Sequence, residues 1–214
     1  MPVSYNIKAD VVDLRNDRPK PNDVFFVDTN VWYWLLYSKA SSFSNPRPPH
    51  KYQTSFYPEY VNKLAAVNAR IIRCELILAE IAHIIEKTEF EIYKYERCED
   101  DLKLKEFRHN CPKERSQVVQ EIETVWESIN AFSESRDITL GESDSNFILR
   151  SLGETCLDSY DALYLQWLFQ IPEKSNIITD DGDFVTCPGV TVFTANKNVI
   201  DAAKKCGKLI HRDG

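Results

Sequence analysis

No two of the six cysteines in this 214-residue chain form a Cys-x-x-Cys pair; they stand at Cys74, Cys98, Cys111, Cys156, Cys187 and Cys206. His109 and Cys111 lie close together, but no second ligand pair follows at zinc-finger spacing. The expectation is reduced thiols in a cytosolic protein. Long apolar runs are missing too. Val24 to Val27, the longest near the start, is far too short to cross a bilayer. The opening Met1-Pro2-Val3-Ser4, followed by Asp10, Asp13 and Asp17, does not read as a signal peptide. A soluble, cytoplasmic chain without a membrane partner is expected. Positive charge is short as well, with 26 Lys and Arg against 33 Asp and Glu, a net charge of −7. A nonspecific DNA coat carries a basic surplus, because phosphate contacts drive its affinity. The balance does not exclude an enzyme whose site is itself built of carboxylates. There is no internal repeat and no low-complexity tract.

What is present is enough for a core. Apolar residues make up 43% of the chain, and four Trp, ten Tyr and eleven Phe supply large surfaces to bury. Residues 1–22 read as a loose arm or an edge addition, and 23–214 as a single domain with a helical insertion at about 86–135. Val24-Phe25-Phe26-Val27 is a continuous apolar run that suits a strand buried on both faces. Further strands are expected at 70–74, 137–140, 176–179 and 190–193. Helices are expected at 31–37 (capped by Thr29 or Asn30), at 58–68 (opened by Pro58), and at 75–97, 112–132, 143–152, 158–169 and 196–206. Residues 38–49 have loop composition, and 98–111 are a charged stretch. Strands alternating with helices predict an α/β fold with a mostly parallel sheet flanked by helices.

In such sheets, sites form beyond the carboxyl ends of the strands. Asp28 follows the strand at 24–27, and Asp181 follows the one at 176–179. Glu80 sits among Ile77-Leu78-Ala79 and Ile81-Ala82, and Asp161 precedes Ala162-Leu163-Tyr164-Leu165. An acid in an apolar stretch is costly unless it is paired or bound to a metal. Singly, each has an ordinary explanation: a cap for Asp28, an exposed helix position for Glu80, a first-turn acid for Asp161, a turn residue for Asp181. Jointly, one shared site explains them better.

Four segments carry a resemblance. Val27-Asp28-Thr29-Asn30-Val31 resembles the opening motif of PIN-domain nucleases. Leu76-Ile77-Leu78-Ala79-Glu80-Ile81 resembles their second motif, and Tyr160-Asp161-Ala162-Leu163 the third. Ile178-Thr179-Asp180-Asp181-Gly182-Asp183-Phe184 resembles the fourth, a Thr-x-Asp-x-Asp-Phe pattern. The order agrees, and the resemblance spans roughly residues 24–200. The chain is longer than the family's compact toxins, with added length at 38–68 and between Glu80 and Asp161. In the fourth motif the register selects Asp181 as ligand and Asp183 as its accessory, and drops Asp180.

The resemblance implies a PIN-like three-layer fold and hydrolysis of RNA phosphodiester bonds. Carboxylate oxygens suit Mg²⁺ or Mn²⁺. In this picture Asp28 and Asp161 anchor a metal, Glu80 completes the site or orients water, and Asp181, with Asp183, serves a second metal. Thr29, Asn30 and Thr179 steady these carboxylates. The resemblance also implies an RNA substrate, a small antitoxin partner of a toxin-type enzyme, and a homodimer. Rival expectations are a catalytically inactive RNA-binding or assembly module, and a DNA flap nuclease or exonuclease. Arg70, Arg73, Lys103, Lys105, Arg108, Lys113 and Arg115 are candidates for an RNA path, though solvated, paired helix faces account for most of them. Among Trp32, Tyr33 and Trp34 a base-stacking ring is conceivable, with core packing expected for at least two. His83 reads as a satisfied core histidine.

Overall fold

A computed structural model describes residues 3–41, 48–139, 141–173 and 176–212. Positions 42–47 of the expected 38–49 loop, and Leu140, lie outside them. The fold is α/β, with a six-stranded, all-parallel sheet in the order β1-β6-β5-β2-β3-β4. The strands are β1 Asp10–Asp13, β2 Val24–Val27, β3 Arg70–Arg73, β4 Glu134–Ser135, β5 Asn176–Ile178 and β6 Thr191–Thr194. Helices flank them: α1 Thr29–Leu36, α2 Gln53–Ala66, α3 Leu76–Arg97, α4 Leu104–Asn110, α5 Pro112–Phe132, α6 Glu142–Glu154, α7 Ser159–Gln170 and α8 Lys197–Lys205. No helix among the described residues is long and apolar enough to cross a membrane.

β2 explains the layering. Every residue of Val24-Phe25-Phe26-Val27 is buried, and successive side chains of a strand point to opposite faces. Phe25 meets Tyr60 of α2 edge-on, whereas Phe26 meets Tyr164 and Trp167 of α7. The sheet is therefore covered on both faces, as its apolar strands require. From β2 the chain moves to β3 on one side and returns on the other at β5. The order reverses between β2 and β5, and a crevice opens beyond strand ends at such a switch point.

Several expectations are corrected. Of the two readings of the N-terminal segment, the edge addition holds: β1 pairs with β6, and Val11 and Val12 are buried. Arg212 bonds Asp17 and Asp23, and Tyr60 donates to Asp17, so the segment is tied to the far end of the chain. α2 begins at Gln53, and Pro58 lies inside it; the ring removes one helical donor and leaves the Thr54 carbonyl without its helical partner. The fourth strand is Glu134–Ser135 rather than 137–140. Its backbone groups pair with β3, although both residues are exposed. α4 rises from the charged 98–111 stretch because Phe107 packs on Phe90 and Val118 in a small second core. Asp28, not Thr29 or Asn30, caps α1. On α3 the buried stripe is Ile77, Ile81 and Ile85 with Glu86, while Ala79 and His83 face solvent. His83 is thus no core histidine. Glu86 is 5% exposed and bonds Arg108 and Arg115.

Candidate metal centre

Four elements deliver the acids. Asp28 stands where β2 ends and α1 begins. Its backbone N–H continues the sheet to the Ile178 carbonyl at 3.0 Å. Its Oδ2 accepts from the Thr179 hydroxyl at 2.6 Å, and Oδ1 has only a 3.5 Å contact with the Asn30 N–H. Asn30 thus contributes through its backbone, and its side chain is exposed. Glu80, one turn into α3, accepts at Oε2 from Thr29 Oγ1 at 2.5 Å and from the Tyr164 hydroxyl at 2.9 Å. Asp161 lies in the first turn of α7, whose cap Asp158 accepts from the backbone N–H groups of Tyr160 and Asp161. Asp181 follows β5. Its N–H donates to Thr179 Oγ1 at 2.9 Å, and its Oδ1 accepts from the Asp183 N–H at 2.9 Å.

These groups lie within one another's electrostatic reach. Burial pushes Asp28 up to about 7, with Glu80 and Asp181 adding repulsion against the donor effect of Thr179. Burial pushes Asp161 up to about 9, and Asp28, Asp158, Asp181 and Glu80 all add to it. Asp183 rises to about 6 through burial, Asp181 and Asp158. Among the described residues no cation forms an ion pair with Asp28, Glu80, Asp161, Asp181 or Asp183. Clustered acids without a counter-charge hold protons they would lose in water. Nor does any set of three or more His, Cys, Asp or Glu side chains among the described residues stand in ligand geometry. The acids converge in field without closing into a cage. Oxygens left for a cation include Glu80 Oε1, Asp28 Oδ1 with its long contact, Asp181 Oδ2 and the Asp161 and Asp183 carboxylates, all hard donors.

Comparison with protein-family models, with curated proteins and with solved structures gives no match.

Asp180 is turned away from the acids. Its carboxylate accepts from Tyr57 at 2.6 Å, from Gln53 at 2.6 Å and from Tyr52 at 2.9 Å, all on or beside the first turns of α2. Burial still raises its pKa against these donors. Gly182, between Asp181 and Asp183, lies under the Tyr5 ring, where any Cβ would come within 2.1 Å of Tyr5 Cε1. Asp158, Tyr164 and Tyr5 are neighbours of the cluster that sequence reasoning missed. Asp158 three residues before Asp161, and Tyr164 three after it, were signals at helical spacing; nothing local pointed to Tyr5.

Most basic candidates for an RNA path are committed elsewhere. Arg70 pairs with Glu134 and Glu173, and Arg108 and Arg115 pair with Glu86. Arg73 pairs with Glu75 and lies over the Trp126 ring. Lys103, Lys105 and Lys113 have no ion pair among the described residues. Trp32 and Tyr33 are buried, and Trp34 packs on Tyr57.

Proposed function

We propose that the chain is a metal-dependent endoribonuclease acting at Asp28, Glu80, Asp161 and Asp181, with Asp183 as accessory. The observation that carries the reading is a set of uncompensated carboxylates at the β2–β5 switch point, two of them lifted to about 7 and about 9. A bound Mg²⁺ or Mn²⁺ supplies positive charge for the scissile phosphate and a more acidic water. Asp28 and Asp161 would hold that ion, with the Thr179 hydroxyl fixing the Asp28 carboxylate. Glu80, held at Oε2 by Thr29 and Tyr164, would complete the site or orient a water with its other oxygen. Asp181 and Asp183, on the loop after β5, would serve a second ion beside the scissile phosphate. RNA as substrate, a small antitoxin as partner and a homodimer rest on the motif resemblance.

The test is incubation of total RNA with Mg²⁺ or with EDTA, followed by end mapping. Cleavage that needs the metal and disappears in Asp28→Asn is expected. Wild-type cleavage by that variant sinks the assignment. One observation favours a second reading, a catalytically silent RNA-binding or assembly module: no three acids among the described residues stand in ligand geometry. Titration calorimetry with Mn²⁺ separates the two, since a silent scaffold takes up no ion.

A further inference from the structure

Glu80, His83, Ile84, Lys87 and Glu91 recur along α3 at intervals of three and four, and so share one face of the helix. Glu80 belongs to the acid cluster. The other four, with Phe90 and with Leu104 of α4, line a cavity of about 530 Å³. By helical rise, Lys87 stands about 10 Å along the rod from Glu80. The acid site and the cavity are therefore successive stations on one helix.

The lining is chemically mixed. Ile84, Phe90 and Leu104 form an apolar wall. His83 and Lys87 are exposed, and neither has an ion pair among the described residues. Glu91 is the acid of the lining. The wall is braced from behind: Phe90 and Phe107 have ring centroids 5.5 Å apart, and Glu86 joins α3 to Arg108 of α4 and Arg115 of α5. A cavity of this size suits a small organic ligand. A purely apolar occupant would strip water from His83 and Lys87 without a partner, and a bare anion would leave the wall unused. A nucleotide answers both, with its base on the wall and its phosphate against His83 and Lys87.

We infer that this cavity is a subsite for one nucleotide of single-stranded RNA, flanking the bond cut at the acid cluster. The inference rests on the nuclease reading and gives the helical insertion a role, since α4 closes the subsite. It is tested by fluorescence anisotropy of a short labelled oligoribonucleotide in EDTA, where nothing is cut. Lys87→Glu reverses the charge, Leu104→Trp fills the cavity, and Lys63→Glu on α2 makes the same charge change elsewhere. Binding about tenfold weaker in the first two, with Lys63→Glu like wild type, is expected. Wild-type affinity in Lys87→Glu, or equal weakening in Lys63→Glu, overturns the subsite. If Leu104→Trp fails to fold, Lys87→Glu on the exposed face still decides. Failure of the nuclease reading shows separately, as intact RNA when wild type is loaded with Mg²⁺.

Discussion

The Thr179 hydroxyl donates to Asp28 Oδ2 at 2.6 Å, across the seam between β2 and β5 where the strand order reverses. The same oxygen accepts from the Asp181 N–H at 2.9 Å. One hydroxyl thus fixes the rotamer of one strand-end acid and the backbone of the other. The first contact is buried and the second partly buried, and an unmade buried hydrogen bond costs about 1–3 kcal/mol.

Thr179→Val keeps the shape and removes both contacts. Groups that orient metal-binding side chains are typically worth about 10–100-fold in metal affinity or activity. Loss of that size is expected in Mn²⁺ affinity and in RNA cleavage, with Thr179→Ser close to wild type. Calorimetry and a cleavage time course measure it. Equal Mn²⁺ affinity in the valine variant would show that the hydroxyl only holds the sheet together.

Asp180 and Asp181 are adjacent, yet their surroundings separate their roles. Asp180 satisfies Tyr52, Gln53 and Tyr57, whereas Asp181 is exposed and raises the pKa of Asp161 and Asp183. Asp180→Asn turns an acceptor into a donor facing donors. The expected effect is on stability, with a melting temperature lower by about 2–8 °C and cleavage per folded molecule little changed. Asp181→Asn is expected to do the reverse. Thermal melts and cleavage rates of the two variants, taken together, check the assignment. Loss of cleavage in Asp180→Asn without loss of stability would reverse the register chosen for the fourth motif.

The parts readable in the sequence were those where burial and local pattern coincide. Val24–Val27 announces a strand covered on both faces because all four residues are apolar. Asp28 and Asp181 stand out because they follow such runs, and Glu80 and Asp161 because they interrupt apolar helices. β4 stayed hidden because its two residues are polar and exposed and pair only through the backbone. The phase of α3 was ambiguous for a physical reason. Leu76, Ala79 and Ile84 compete with Ile77, Ile81 and Ile85, and only tertiary packing chooses the second set. His83 therefore faces solvent and Glu86 is buried. The hydroxyls of Tyr164 and Tyr57 were not legible because a hydropathy pattern records the ring and not the direction of the hydroxyl.

Glu86 is the buried acid that joins α3, α4 and α5. Hydrogen bonding from Arg108 holds its carboxyl below the usual range, opposed by burial and helped by Arg115. Glu86→Gln removes the charge and leaves two arginines facing each other. Both are partly exposed, so solvent screens much of the effect, and a loss of about 1–3 kcal/mol is expected. The sign over pH follows from the lowered pKa. The contribution is present above the unfolded value and is lost as pH falls through the folded one. Denaturant titrations of wild type and variant should therefore differ at neutral pH and converge in acid. A gap that stays constant into acid would assign the loss to packing rather than charge.

The acid cluster has the opposite sign. Asp28 and Asp161 are raised to about 7 and about 9 from an ordinary value of 3.8. Between that value and the raised ones, the unfolded chain has released protons that the folded one retains. Metal-free stability therefore falls as pH climbs from about 4 toward about 9. Asp161→Asn removes the largest of these shifts. It is expected to raise the melting temperature of the metal-free protein by about 2–5 °C near pH 8 and to change nothing near pH 4. A divalent ion that takes the place of the protons stabilises wild type more than the variant, and its binding releases protons. Melts with EDTA and with Mn²⁺ across this range, and calorimetry in buffers of different ionisation enthalpy, measure both effects. A metal-free melting temperature that does not depend on Asp161 at pH 8 would mean that the carboxylates do not share one space. The electrostatic basis of the nuclease reading would then be gone, whatever the sequence motifs resemble.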